Sequence, residues 1–133
     1  MIFKNEEHEA FFYECIEKLN SDKRRYIEYQ SLFYTLGITK DCRDHIDSIF
    51  DFDEGYINPD VFRADASWMT GADTRLIRLA FSLYSDDAPT AYNLEGRAKE
   101  QELSQYQLHN LLCGFSDDNL DFVMAAIRFR YSR

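Results

Sequence analysis

The chain has 133 residues, of which 45% are hydrophobic and 16% aromatic, with only two prolines and five glycines. A chain of this length and composition can bury a sizeable core without disulfides or metal ions, and it leaves little sequence for linkers. The formal net charge of -9 argues against direct binding of nucleic acid, because phosphates repel such a surface. We therefore predict one domain over residues 1–133 that makes no direct contact with nucleic acid.

The sequence shows neither a secretion signal nor a membrane span. Residues 1–7 lack the basic and apolar regions of a signal peptide, and no apolar run approaches the length that crosses a bilayer. Cys15, Cys42 and Cys113 each lie in a helical apolar pattern, which indicates buried, reduced thiols. We expect a cytoplasmic protein that makes no membrane contact.

Hydrophobic periodicity predicts helices along most of the chain. Asn5 is the predicted N-cap of a first helix over residues 6–19. A second helix is predicted over residues 22–36, and Gly37 stands where a left-handed C-terminal cap belongs. The first third of the chain is thus predicted to begin with two consecutive helices.

The middle of the chain is predicted to hold a central helix. Asn58 and Pro59 supply a cap and a first-turn proline for a short helix that ends at about Ala64. A wide apolar face over residues 71–85 predicts a largely buried helix that organises the core. Residues 86–102 are polar and are predicted to form the longest loop.

Two further helices are predicted near the C-terminus. A capping box at residues 104–107 begins a helix that ends at Gly114. Ser116, followed by two aspartates, begins a last helix that reaches Tyr131. No alternating run is long enough to predict a sheet, so the sequence predicts an all-α, compact single-domain bundle of about six or seven helices.

A row of carboxylates on the third predicted helix is the strongest indication of function. Thr39 caps this helix, which is predicted to reach Phe50, and its four aspartates recur at intervals of three or four residues. On one helix they share an arc of about 120°, with the apolar residues on the other side. We predict that this face and the turn after it bind a protein partner. The predicted partner-binding residues are Asp41, Asp44, Asp47, Asp51, Asp53 and Glu54.

No catalytic motif accompanies this acidic row. The chain has no phosphate-binding loop, no nucleophile elbow and no dinucleotide-binding glycine fingerprint. We therefore predict a protein that is not an enzyme and that needs no cofactor and no metal.

Two near-motifs are assigned to plain structure. Residues 51–57 resemble a calcium loop, but Gly55 is fifth instead of sixth and Phe62 stands where the twelfth-position Glu is needed, so a tight acidic turn is predicted. Residues 32–39 with the third helix resemble a helix-turn-helix, but bulky Phe33 and the aspartates oppose DNA binding.

Two alternatives remain open at this stage. In the first, two cysteines and two histidines at helical spacing converge on a zinc ion if their helices meet. The residues concerned are Cys42, His45, His109 and Cys113. In the second, surplus aromatic residues such as Phe3, Tyr13 and Phe129 form the interface of a homo-oligomer.

Several strings of the sequence resemble one uncharacterised family, the domain of unknown function 6075. The strings are Met1–Asn5 with His8, Leu32–Ile38, Ile49–Phe52, Trp68 with Thr70 and Gly71, Arg78–Phe81, and Ala126–Tyr131. Residues 86–105 match no part of the pattern. The resemblance implies a setting in Firmicutes, their phages or mobile elements, and it brings no catalytic residues.

This setting gives the acidic row a specific interpretation. Small acidic proteins of mobile elements often inhibit host proteins, and a row of carboxylates can occupy the basic channel of a nucleic-acid-binding enzyme. We therefore expect a non-enzymatic inhibitor of such an enzyme, of the anti-CRISPR or other anti-defence type. It would act by occluding a basic groove.

Overall fold

The computed structural model describes residues 1–63, 66–85 and 94–132. These residues form eight α-helices, two short 3₁₀ helices, Lys23–Arg25 and Pro59–Phe62, and one two-stranded antiparallel hairpin. The helices and strands are α1 (Glu6–Lys18), α2 (Ile27–Leu36), α3 (Lys40–Asp44), α4 (Ile46–Ile49), β1 (Phe50–Asp51), β2 (Tyr56–Ile57), α5 (Gly71–Tyr84), α6 (Gly96–Ser104), α7 (Leu108–Leu112) and α8 (Asp117–Tyr131). The prediction of an all-α fold is confirmed, and the hairpin is an addition to it.

The core lies between α2 and the three helices that contact it, α1, α5 and α8. Leu32, Phe33 and Leu36 on α2, together with Ile77 and Phe81 on α5, are completely inaccessible to solvent. Burial of each such side chain stabilises the fold by roughly 1.5–3 kcal/mol. The predicted central helix is therefore α5, and it shares that position with α2. In the described part of the chain, no helix has the length and hydropathy needed to cross a membrane.

Four predicted N-terminal caps are confirmed. The side chains of Asn5, Thr39, Asn58 and Ser116 each accept a hydrogen bond from a backbone N–H two or three residues further on. These bonds are local, since they satisfy the N–H groups that the first turn of any helix leaves free. The short helix after Asn58 is a 3₁₀ helix, and its predicted end at Ala64 lies outside the described residues.

Gly37 ends α2 for a different reason than predicted. Its φ of -75° is ordinary right-handed backbone, so the predicted left-handed cap is wrong. A Cβ at this position would lie 2.6 Å from Cδ2 of His8 and 2.9 Å from Cδ1 of Phe11. The glycine therefore allows α1 to approach the end of α2, where Nε2 of His8 lies 2.7 Å from the carbonyl oxygen of Tyr34.

The region before α7 also differs from the prediction. The predicted loop over residues 86–102 is wrong from Gly96 onward, because α6 occupies Gly96–Ser104, while residues 86–93 lie outside the described part. Ser104 does not cap the next helix, since its hydroxyl donates to the carbonyl of Gln101. Glu102 anchors α6 to α5 through two hydrogen bonds from Arg78, at 2.7 and 2.8 Å. The sequence of α6 has no periodic apolar pattern. This helix was therefore not predicted, since the pairing that holds it to α5 joins residues far apart in the chain.

The three cysteines are free thiols, as predicted. Cys15 and Cys42 are buried, whereas Cys113 is only half-buried. The prediction of buried thiols is therefore confirmed for two of the three positions.

Candidate functional site

The predicted acidic helix is broken in the structure at His45. α3 ends at Asp44 and α4 begins at Ile46, so the prediction of one helix up to Phe50 is wrong. The His45 ring stacks in parallel on Trp68, with centroids 4.1 Å apart, and its Nδ1 lies 3.0 Å from the carbonyl oxygen of Asp41. Because these contacts hold His45 outside helical geometry, the four aspartates do not share one helix face.

Asp41, the first residue of the predicted row, is engaged with another carboxylate. It lies partly buried beside Asp73 of α5. The neighbouring Asp73 carboxylate, which can share a proton with Asp41 and repels its charged form, raises the pKa of Asp41 above its usual range. Asp41 therefore pairs with a buried carboxylate of α5, so it is not a free member of the predicted acidic row.

Asp73 itself links the starts of two helices. It is 1% exposed, and its Oδ2 accepts hydrogen bonds from the backbone N–H and the hydroxyl of Thr70 at 2.9 and 3.0 Å. Its Oδ1 accepts a bond of 2.9 Å from the hydroxyl of Thr39, which caps α3. The carboxylate thus completes the capping box of α5 and fixes α3 against it.

Asp44 is exposed but is already paired. Its Oδ2 lies 2.5 Å from Nζ of Lys40, one turn earlier on α3. The hydrogen bond from Lys40 lowers the pKa of the Asp44 carboxyl. This ion pair reduces the charge that Asp44 can present to a partner.

The remaining predicted aspartates surround a groove at the hairpin. Asp47, Asp51 and Asp53 are exposed, and they line a groove of about 610 Å³. None of the three carboxylates forms an ion pair with any described residue. The other residues that line the groove are Phe50, Phe52, Tyr56, Ile57, Asn58 and Pro59. We call these nine residues the acidic groove.

The turn of the hairpin holds two of these aspartates in place. Oδ1 of Asp51 accepts hydrogen bonds from the backbone N–H groups of Asp53 and Glu54, at 2.9 and 3.0 Å. Gly55 follows with a φ of +83°, a conformation that residues with a side chain rarely adopt. The predicted tight acidic turn is confirmed. Glu54 is exposed in this turn and does not line the groove.

The opposite side of the hairpin carries positive charge. Nζ of Lys23 donates to the carbonyl oxygen of Gly55 at 3.4 Å, and Nζ of Lys18 lies 5.0 Å from the centre of the Phe52 ring. Asp53 lies between the acidic groove and this basic side, since it lines depressions on both. Asp47 and Asp51 line only the acidic groove, whereas Lys18 and Lys23 line only the second depression.

The non-acidic part of the acidic groove was not predicted from the sequence. Tyr56 is 49% exposed on β2, and it pairs with Asp51 across the hairpin. Asn58 donates from its side chain to the carbonyl oxygen of Ser48, which holds the groove wall against α4. The turn was predicted from the sequence, but each strand has only two residues, which are too few for an alternating pattern to predict a strand.

The residues of the zinc alternative do not form such a site in the described structure. Within residues 1–63, 66–85 and 94–132, no group of three or more His, Cys, Asp or Glu side chains is placed to hold a metal ion. His45 stacks on Trp68, and the thiol of Cys113 points to the carbonyl oxygen of Asn110 at 3.9 Å.

The fold and the site define an acidic, all-α protein with a grooved hairpin on its surface. The chain belongs to the family of unknown function DUF6075, whose model matches residues 1–133. No curated protein and no solved structure matches the chain.

Proposed function

We propose that this protein is a non-enzymatic protein-binding module that uses the acidic groove to bind a basic surface of its partner. The observation that carries the proposal is the set of three exposed aspartates, Asp47, Asp51 and Asp53, which line one groove without an internal ion pair. Lysine or arginine side chains of a partner would supply the missing counter-charges. The half-exposed ring of Tyr56 offers an arginine a flat surface on which to stack.

The proposed partner is a host enzyme that binds nucleic acid, and the proposed effect is inhibition by occlusion of its basic groove. Such an enzyme presents clustered Lys and Arg to phosphates, and the same cluster attracts carboxylates. An anti-CRISPR or other anti-defence role is the specific form of this proposal. The net charge of -9 supports it, because it favours rapid association with a basic protein.

The geometry limits how closely the groove can imitate a nucleic acid. Asp41 is engaged with Asp73 and Asp44 with Lys40, so an evenly spaced row of four charges is absent from α3 and α4. Three carboxylates around a groove resemble a short stretch of phosphates more than a duplex, which carries one charge per about 1.7 Å. We therefore propose that the groove takes one or two basic side chains instead of replacing a whole nucleic-acid strand.

Affinity purification from a bacterial host at low and moderate salt, followed by mass spectrometry, tests the proposal. We expect a stoichiometric nucleic-acid-binding partner whose recovery falls as salt rises, because screening shortens the range of charge attraction. The double variant Asp47→Lys with Asp53→Lys should lose this partner. The matched control is Glu9→Lys with Glu100→Lys, which changes the net charge equally at exposed positions on α1 and α6 and should retain the partner.

Two results would contradict the proposal. One is recovery of the bait alone at both salt concentrations. The other is a partner that both double variants retain equally, since the acidic groove would then play no part in binding it.

A further inference from the structure

α8 carries a regular exposed stripe on a different surface of the protein. The stripe consists of Asp117, Asp121, Met124, Arg128 and Tyr131, which are all exposed. On an α-helix these five positions fall within an arc of about 80°. Their spacing of four, three, four and three residues is that of the seam along which two helices pack in a coiled coil. The stripe therefore has the geometry of a helix-packing surface.

The stripe faces away from the core that α8 helps to form. Val123 and Ala126, on the other side of the helix, are completely buried, and α8 contacts α2 and α5. Met124 is 49% exposed and Tyr131 is 62% exposed, although both are large and largely apolar.

The apolar surface continues from α8 onto the N-terminal segment. Met1 and Ile2, which are 58% and 75% exposed, line a groove of about 450 Å³ together with Ala125 and Phe129 of α8. At roughly 200 Å² for a large side chain, Met1, Ile2, Met124 and Tyr131 together expose about 500 Å². A standard interface covers about 800 Å² on each partner, of which about 60% is apolar. The exposed apolar area of this surface is therefore about as large as the apolar part of such an interface.

The charges of the stripe complement each other when the helix is reversed. Asp117 and Asp121 lie in the N-terminal half of α8, and Arg128 lies in the C-terminal half. None of their side chains forms a hydrogen bond or ion pair with a described residue. A two-fold axis at Met124 brings Asp121 of each copy beside Arg128 of the other and Met124 beside Met124. A closed two-fold dimer requires a surface that is complementary to itself, and this stripe meets that requirement.

We infer that this surface binds a second copy of the chain, with the two α8 helices packed antiparallel about Met124. Met1 and Ile2 extend the apolar contact on both sides of the helix pair. The dimer uses no residue of the acidic groove, so each copy keeps its groove free for a partner. The inference is thus independent of the proposed function.

Sedimentation of the whole, untagged chain over a range of concentrations tests the inference. An untagged chain is needed because both Met1 and Ser132 line the groove beside α8. We expect the mass to rise from 15.8 kDa toward twice that value as the concentration increases. A chain that stays monomeric at all concentrations up to the millimolar range would overturn the inference.

Charge exchange on α8 tests the register. Asp121→Arg and Arg128→Asp should each weaken dimerisation by about tenfold or more, since like charges then face each other twice across the axis. The double variant that carries both changes should restore it. Asp118→Arg is the matched control, because Asp118 lies about 100° from the centre line of the stripe on the first turn of α8, and the change should leave dimerisation unchanged. Equal weakening by Asp118→Arg and Asp121→Arg, or failure of the double variant to recover, would overturn the proposed pairing.

A cysteine at the axis gives a second, independent measurement. With diamide added as the two-electron oxidant, Met124→Cys should form an intermolecular disulfide much faster than Tyr56→Cys, which places an exposed thiol on the hairpin instead. The native chain supplies the background rate, since it has the half-buried Cys113. Equal rates for the two variants would contradict the antiparallel contact at Met124.

Discussion

The two ends of the acidic segment use the same residue type in opposite ways. At one end Asp41 lies beside the Asp73 carboxylate, which raises the pKa of Asp41, and Asp44 is paired with Lys40. At the other end Asp47 and Asp53 are exposed without an ion pair in the described structure. A count of acidic residues therefore overstates the charge that a partner meets. The contacts of each side chain, local for Asp44 and tertiary for Asp41, separate the engaged carboxylates from those that are free to bind.

Asp73→Ala should produce the largest loss of stability in this region. The change removes the acceptor for the Thr70 and Thr39 hydrogen bonds, and it leaves an internal cavity beside two helix starts. The cost should be about 2–4 kcal/mol in the free energy of unfolding, measured by urea denaturation. Asp47→Ala is the control and should change stability by less than about 0.5 kcal/mol. A loss of less than about 1 kcal/mol for Asp73→Ala would show that the caps hold without it.

Asp51→Ala should cause an intermediate loss of stability. The change distinguishes Asp51, which holds the hairpin turn, from the other exposed aspartates. Asp51 accepts two backbone hydrogen bonds in the hairpin turn, whereas the side chain of Asp53 accepts none from described residues. We expect a loss of about 1 kcal/mol for Asp51→Ala and less than about 0.5 kcal/mol for Asp53→Ala in the same denaturation experiment. Equal losses would mean that the turn is held by its backbone conformation alone.

Asp41→Asn should have a smaller effect than Asp73→Ala or Asp51→Ala, and it should stabilise the fold. The raised pKa of Asp41 means that the folded protein holds this proton more tightly than the unfolded chain. That contribution favours folding at acidic pH and is lost as pH rises through the folded pKa. At pH 7 the amide removes the repulsion from Asp73, so the free energy of unfolding should rise by less than about 1 kcal/mol.

The pH dependence provides the control for this prediction. The gain from Asp41→Asn should shrink as pH falls through the raised pKa of Asp41, and it should be gone below the ordinary carboxyl pKa of about 4, where Asp41 is protonated in both the folded and the unfolded chain. A gain that stays constant between pH 7 and pH 3.5 would contradict the assignment of the effect to the Asp41–Asp73 pair.

The sequence predicted those parts of the fold that depend on neighbouring residues. Asn5 and Ser116 cap their helices through bonds to residues three positions away, and amphipathic patterns marked α1, α5 and α8. The break at His45 could not be predicted from neighbouring residues, because it depends on the contact with Trp68. The raised pKa of Asp41 likewise depends on Asp73, which is distant in the sequence. The six predicted partner-binding residues thus include four in the hairpin region that stay exposed and two on α3 that the fold engages.

The burial of two of the three cysteines allows the rate of local opening to be measured. Burial raises the pKa of Cys15 to about 12 and raises that of Cys42 still further, so neither thiol is ionised or accessible in the folded state at neutral pH. An alkylating reagent reacts with thiolates, and it should modify the half-buried Cys113 first. The later reactions at Cys15 and Cys42 then time the transient separation of α1 and α3 from the core. Peptide mass spectrometry can follow the three reactions separately in the unmutated chain.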